Sequence, residues 1–202
     1  MRYGSMAAFA LFALTAIDGG NARAADAGLN FAKRLFAGQV GSEIESYACF
    51  ARRYDAAHLA KHPRQKVGAM RLLVTAENAP EDHALNYSFR LSVKFRERKA
   101  HFESSGDCGH PMTSQVSADN LQLGCSVDCD GGGLSVELAN ADKSVLVRID
   151  RIGIWNSANP DAEPENLEGG ADDRIFRLDR VSLDHCRSLI TDSDELAAMP
   201  HK

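Results

Sequence analysis

The chain has 202 residues, with 23 Lys+Arg against 28 Asp+Glu for a net charge of -5, 25% charged residues and 44% hydrophobic residues. The acidic balance argues against a nucleic-acid partner, which would call for a basic footprint, and the ordinary apolar content argues against global disorder. The length suits one domain with a sizeable core.

Residues 1–24 have the layout of a cleavable signal peptide. Arg2 stands at the start, an apolar run extends from Met6 to Ile17, and Ala22, Arg23 and Ala24 form a small-x-small tripeptide before Ala25. The run ends at Asp18, Gly19 and Gly20, short of the about 18 apolar residues that a membrane-spanning helix needs. Cleavage after Ala24 and release into the periplasm or the exterior are therefore expected, with residues 25–202 as a single β-rich domain and no transmembrane segment after cleavage.

Residues 25–45 read as a lead-in, with Leu29, Phe31, Leu35 and Phe36 on one or two helical turns ending at Gly38. Tyr47 to Tyr54 fits a strand. Asp55 suits the N-cap of a brief helix over Ala56–Ala60, which Pro63 would stop. From Val67 the period is two, most clearly in Leu85, Tyr87, Phe89, Leu91, Val93 and Phe95, which alternate with Asn86, Ser88, Arg90, Ser92, Lys94 and Arg96. A slip of one residue would move that whole apolar set into water.

The same alternation recurs in Leu121–Val127, Leu134–Leu138 and Val145–Ile149, with further short strands at Gly68–Thr75, His101–Ser105, Ile152–Trp155 and Arg174–Leu178. Turn chemistry at 77–82, 128–133 and 139–143 separates several of them. Short strands without long helical patterns between them predict a mainly β fold, an antiparallel barrel or sandwich of about eight strands with short flanking helices. Residues 156–173 read as one exposed acidic loop, Ser182–Leu196 as a short helix, and 191–202 as a flexible tail.

Five cysteines, Cys49, Cys108, Cys125, Cys129 and Cys186, would oxidise in an export compartment and leave one spare thiol. Cys108 flanks a turn-like stretch and can pair with Cys125 across it, with Cys129 as the competing partner; Cys49 and Cys186 would then link the two ends of the domain.

Several side-chain groups invite a chemical reading. His58 and His62 share one face of a helix and can bind zinc or copper together, with His101 or His110 as further ligands of a metal carrier or metal-dependent enzyme. The metalloprotease pattern fails, because Ala57 and Leu59 flank His58 where Glu would be needed. The plainer alternative is a pair of locally bonded imidazoles. Asp128 and Asp130, with Gly131, Gly132, Gly133 and Glu137 after them, resemble part of a calcium loop but suit a tight turn better. Arg90, Lys94, Arg96 and Arg98, followed by Lys99, form a row that would either bind anionic polysaccharide or a membrane surface, or pair with neighbouring carboxylates. The acidic residues Asp161, Glu163, Glu165, Glu168, Asp172 and Asp173 read as a surface loop. The sequence carries no nucleophile elbow, phosphate loop, dinucleotide fingerprint or CxxC pair, so no catalytic residue and no cofactor is assigned.

The run from Cys49 through Arg52, Arg53, Tyr54, Asp55, His58, His62 and Pro63 to Gln65 and Val67 resembles a family of uncharacterised exported bacterial proteins. The resemblance implies export and carries no activity. The leading expectation is a non-catalytic binding or structural module of the cell envelope, its inner face of Tyr87, Phe89, Leu91 and Phe95 either filling the interior or holding a small apolar ligand. The alternatives are the metal-binding protein or metal-dependent enzyme at His58 and His62, and an envelope interaction or inhibitor protein using the acidic loop or the basic strand face.

Overall fold

The computed structural model describes residues 19–38, 40, 45–79, 84–114, 120–159 and 161–200. The core of the expected signal peptide and parts of the turns at 77–82 and 109–120 lie outside them. The chain order is α1 (Gly19–Leu35), β1 (Ser46–Arg53), α2 (Ala56–Lys61), β2 (Val67–Ala79), β3 (Ala84–Phe95), β4 (His101–Cys108), β5 (Met112–Thr113), β6 (Leu121–Ser126), β7 (Gly132–Ala139), β8 (Ser144–Asn156), β9 (Glu165–Glu168), β10 (Ile175–Arg180), two 3-10 turns at Leu183–His185 and Arg187–Leu189, and α3 (Ser193–Ala198).

The protein is mainly β, and its strand pairings are antiparallel. One sheet runs in the order β10-β1-β2-β3-β4-β6-β7-β8-β9, with β5 on the side of β6. The path closes, because β10 also pairs with β8 from Ile175 opposite Arg148 to Asp179 opposite Ser144. Closure leaves few free backbone edges and gives the sheet a barrel-like form.

The alternating residues of β3 explain the register. Tyr87, Phe89, Leu91 and Val93 are buried, and they meet Ala48, Phe50, Met70, Leu72, Phe102, Leu123, Val147, Ile149 and Phe176 in one continuous core. The largest of these side chains are fully buried, so the interior is filled by the protein's own side chains.

In β8 the alternation changes phase. Leu134 faces Ile149 while Gly133 faces Arg151, so Asp150 is an extra residue, a β-bulge. Val145, Val147 and Ile149 point inward before it and Ile152 and Ile154 after it. The two short strands expected here are therefore one long strand.

Helix α1 is longer than the one or two expected turns and runs without a break through Ala24 and Ala25. Its Phe31, Ala32 and Leu35, with Phe36 just after, enter the core, whereas Leu29 is 45% exposed and takes no part in that face. Arg180 fastens the C-terminal end of the helix by donating to Leu35 O at 2.7 Å and Arg34 O at 3.1 Å.

At the opposite end of the sheet Asp55 caps α2 by accepting from His58 N at 2.7 Å, and the helix stops at Lys61, before Pro63. The acidic segment 156–173 is not a single exposed loop. It contains β9, which pairs with Arg151–Ile154 of β8, buries Leu167, and ends at Asp173, a carboxylate only 2% exposed that accepts from Lys66 N and Val67 N.

The end of the chain, expected to fray, is a packed strap. Leu183, Cys186, Leu189, Ile190 and Met199 form a second small core with Tyr47, Cys49 and Leu73 on the outer face of β1 and β2. The disulfide Cys49–Cys186 holds the strap down, and Arg90 grips Glu195 through two hydrogen bonds of 2.7 and 2.8 Å. A second disulfide, Cys108–Cys125, joins β4 to β6 where the two residues face each other in the ladder. Cys129 is free and exposed.

Candidate functional site

The strap covers only part of the outer face of β1–β4, and an open groove of about 950 Å³ lies beside it. Strand parity sets its floor. Residues that alternate with the buried set point outward, which brings Ala51 and Arg53 of β1, Ala69 and Arg71 of β2, Ser92 and Lys94 of β3 and His101 of β4 onto one surface. Tyr54, Leu59, Arg52 and Arg96 also line it, as do Val181 and, from the strap, His185. Among the described residues no carboxylate lines the groove.

Of the five basic side chains there, Arg52 alone has a carboxylate partner among the described residues, Asp179 at 3.2 Å. Arg71 donates to His185 O and Ser188 Oγ, Lys94 to Lys99 O with its ammonium 3.3 Å from His101 Nε2, and Arg96 to Gln65 O. Carbonyls and hydroxyls orient these groups without cancelling their charge. At the strap wall Ser182 Oγ and His185 Nδ1 lie 3.2 Å apart, a local pair three residues apart whose imidazole has no carboxylate to orient it among the described residues.

The structure places the residues singled out from the sequence as follows. His58 and His62 do stack, with ring centroids 4.4 Å apart, and Tyr54 packs on His58 at 4.7 Å. His58 Nε2 lies 2.9 Å from Gln65 Oε1, and Gln65 Nε2 donates to Val67 O at 2.8 Å. His62 lies 3.9 Å from Asp172. His101 sits in the groove beside Lys94, and His110 is exposed on the stretch after β4. Among the described residues no group of three or more His, Cys, Asp or Glu is placed to hold a metal ion.

Asp128 and Asp130 belong to the β6–β7 hairpin turn. Cys129 and Asp130 both have positive φ, 55° and 62°, the signature of a type I′ turn. Glu137 lies up β7 opposite Gln122, and Ser114 and Asn120 donate to its two oxygens at 2.8 and 3.0 Å.

The basic row of β3 divides. Arg90 belongs to the strap, and Arg98 is matched to Glu165 at 2.7 Å through two bonds, each holding the other charged: hydrogen bonding to Glu165 raises the Arg98 pKa, and hydrogen bonding to Arg98 lowers that of Glu165. Only Lys94 and Arg96 join the groove. Arg52, Arg53 and Arg71 were not singled out from the sequence, because only the register between β1, β2 and β3 brings them beside Lys94. The available signal was the parity of Arg71 with Ala69 and Leu73, opposite to that of Met70 and Leu72.

Comparison with family models, with curated proteins and with solved structures found no match to this chain.

Proposed function

We propose that the chain is exported, is cleaved after Ala24, and serves as a non-catalytic binding module of the cell envelope whose anionic ligand lies in the basic groove. The observation that carries this reading is a concave surface with five basic side chains and, among the described residues, no lining carboxylate on a chain of net charge -5. In a protein with an acidic balance such a concentration of one sign focuses the field and draws anions to one place. The groove offers guanidinium and ammonium donors, which hold an anion, but no nucleophile paired with an oriented base.

Two disulfides suit an oxidising compartment. The α1 side chains that enter the core, Phe31, Ala32 and Leu35, all lie beyond the Ala24–Ala25 bond, so cleavage would leave their packing in place.

The test uses protein recovered from the periplasm, whose intact mass should correspond to a chain starting at Ala25. Binding of dextran sulfate should weaken with added salt and fall at least about tenfold in an Arg53→Gln/Lys94→Gln double variant, since a hydrogen bond to a charged group contributes about 1.5–3 kcal/mol. Equal binding by the variant and the wild type would overturn the groove as the site.

A further inference from the structure

Beside the groove runs a row of outward residues that face one another across the strands. Ala51 faces Arg71, Arg71 faces Ser92, Ser92 faces Glu103, and Glu103 faces Trp155. These five residues form one row across β1, β2, β3, β4 and β8. Arg71 and Trp155 are three strand spacings apart, about 14 Å. The row lies next to the edge of the strap, and a second open hollow of about 230 Å³ brings Arg90, Glu103 and Trp155 together with Leu189 and Thr191 of the strap.

Three features of this row restrict what lies along it. Trp155 is half-buried, and a Cβ on Gly153 would meet its six-membered ring at 3.4 Å. The ring therefore lies along β8 against bare backbone, a position that a side chain at 153 would contest, and an indole held in that way is a platform on which another flat apolar face can stack. Glu103 has no ion pair or hydrogen bond to its carboxylate among the described residues. A free carboxylate in the middle of the row repels a uniformly anionic surface, such as a phospholipid headgroup layer, but accepts hydroxyl hydrogens. Arg71 and Lys94, two or more strand spacings from Trp155, take negative charge.

Resting on the groove reading above, we infer that the ligand is an acidic oligosaccharide, a chain of sugar rings bearing carboxylate or sulfate groups, laid across the strands along the strap. Its anionic groups lie on Arg71, Lys94 and Arg53, its hydroxyls donate to Glu103, and the apolar face of one sugar ring stacks on Trp155.

Trp155 is the only tryptophan in the chain, so intrinsic emission reads this position selectively. The probes are an oligogalacturonate hexamer, a heparin-derived hexasaccharide, maltohexaose as the neutral chain and phosphatidylglycerol vesicles. The inference expects saturable change of Trp155 emission with at least one acidic hexamer, tenfold or weaker binding of maltohexaose, and no such change with vesicles. Binding of the oligogalacturonate shows that carboxylates suffice, and binding of the heparin-derived hexasaccharide alone shows that sulfate is required. By calorimetry Glu103→Gln should weaken the acidic hexamer at least threefold and Trp155→Leu at least tenfold.

If Arg53→Gln/Lys94→Gln abolishes hexamer binding while wild-type Trp155 emission never changes and Glu103→Gln binds normally, the groove reading stands and the glycan path across β4 and β8 is wrong. Vesicles perturbing Trp155 as strongly as the hexamers would also overturn it. If neither acidic hexamer nor dextran sulfate binds, both readings fall.

Discussion

Arg180 shows how much one side chain decides. It bonds the C-terminal carbonyls of α1 and Asp142 O and lies 4.7 Å over the ring of Phe50, joining helix, hairpin turn and core; burial lowers its pKa. Tyr54 is the residue whose environment is most open to measurement. Its phenol packs between Phe176 and His58, and burial pushes its pKa up to about 12. An unfolded tyrosine ionises near pH 10, so the folded state resists the loss of a proton that the unfolded chain gives up. The stability Tyr54 contributes is complete below about pH 10 and is lost as pH rises toward about 12. Urea unfolding midpoints followed across that range should fall with pH, and Tyr54→Phe should flatten the fall. A variant with the same slope as the wild type would place the alkaline sensitivity elsewhere, with Tyr87, also raised to about 12 by burial, the next to substitute.

The strap, residues 182–199, was the element hardest to foresee. Its apolar residues Leu183, Leu189, Ile190 and Met199 lack the spacing of a long amphipathic helix, because two 3-10 turns and a short α3 present them to the sheet. Cys186 was the legible part, since its pairing with Cys49 requires the chain end to return to β1. The disulfide closes a separation of 137 residues, and its loss should cost about 2–4 kcal/mol. Cys186→Ser is expected to lower the urea midpoint accordingly and to raise amide exchange in residues 183–199 above that of β2 and β3. Unchanged exchange there would show that Arg90–Glu195 and the apolar contacts suffice. By contrast, β3 was fully legible, because a two-residue rhythm with a buried inner face admits one register. β9 was hidden in an acidic stretch whose only apolar anchor, Leu167, gives no rhythm to read, and the phase of β8 was broken by a bulge at Asp150 that no local pattern announces.

At the scale of the whole molecule, closure of the sheet through β8 and β10 produces both the filled interior and the functional reading. Aromatic and aliphatic side chains occupy the inside, and the outside is not uniform. Some basic residues there are matched by a carboxylate, as Arg98 is by Glu165 and Arg34 by Asp142, whereas the groove beside the strap gathers Arg53, Arg71, Lys94 and Arg96, which have no carboxylate partner among the described residues. The histidine pair was legible from its spacing, but its bonding to Gln65 was not. The groove was only half legible, since Lys94 and Arg96 belonged to a visible row while Arg53 and Arg71 depend on long-range pairing.

The groove is tested most directly by titrating isotope-labelled protein with an acidic hexasaccharide and following the backbone amide shifts. Saturable shifts are expected at the outward residues of β1–β4, around Arg53, Arg71, Lys94 and His101, and at Trp155 of β8, and nowhere else. Shifts centred on His58 and His62, or on the hairpin tip at Asp128–Gly131, with the groove silent, would contradict this expectation.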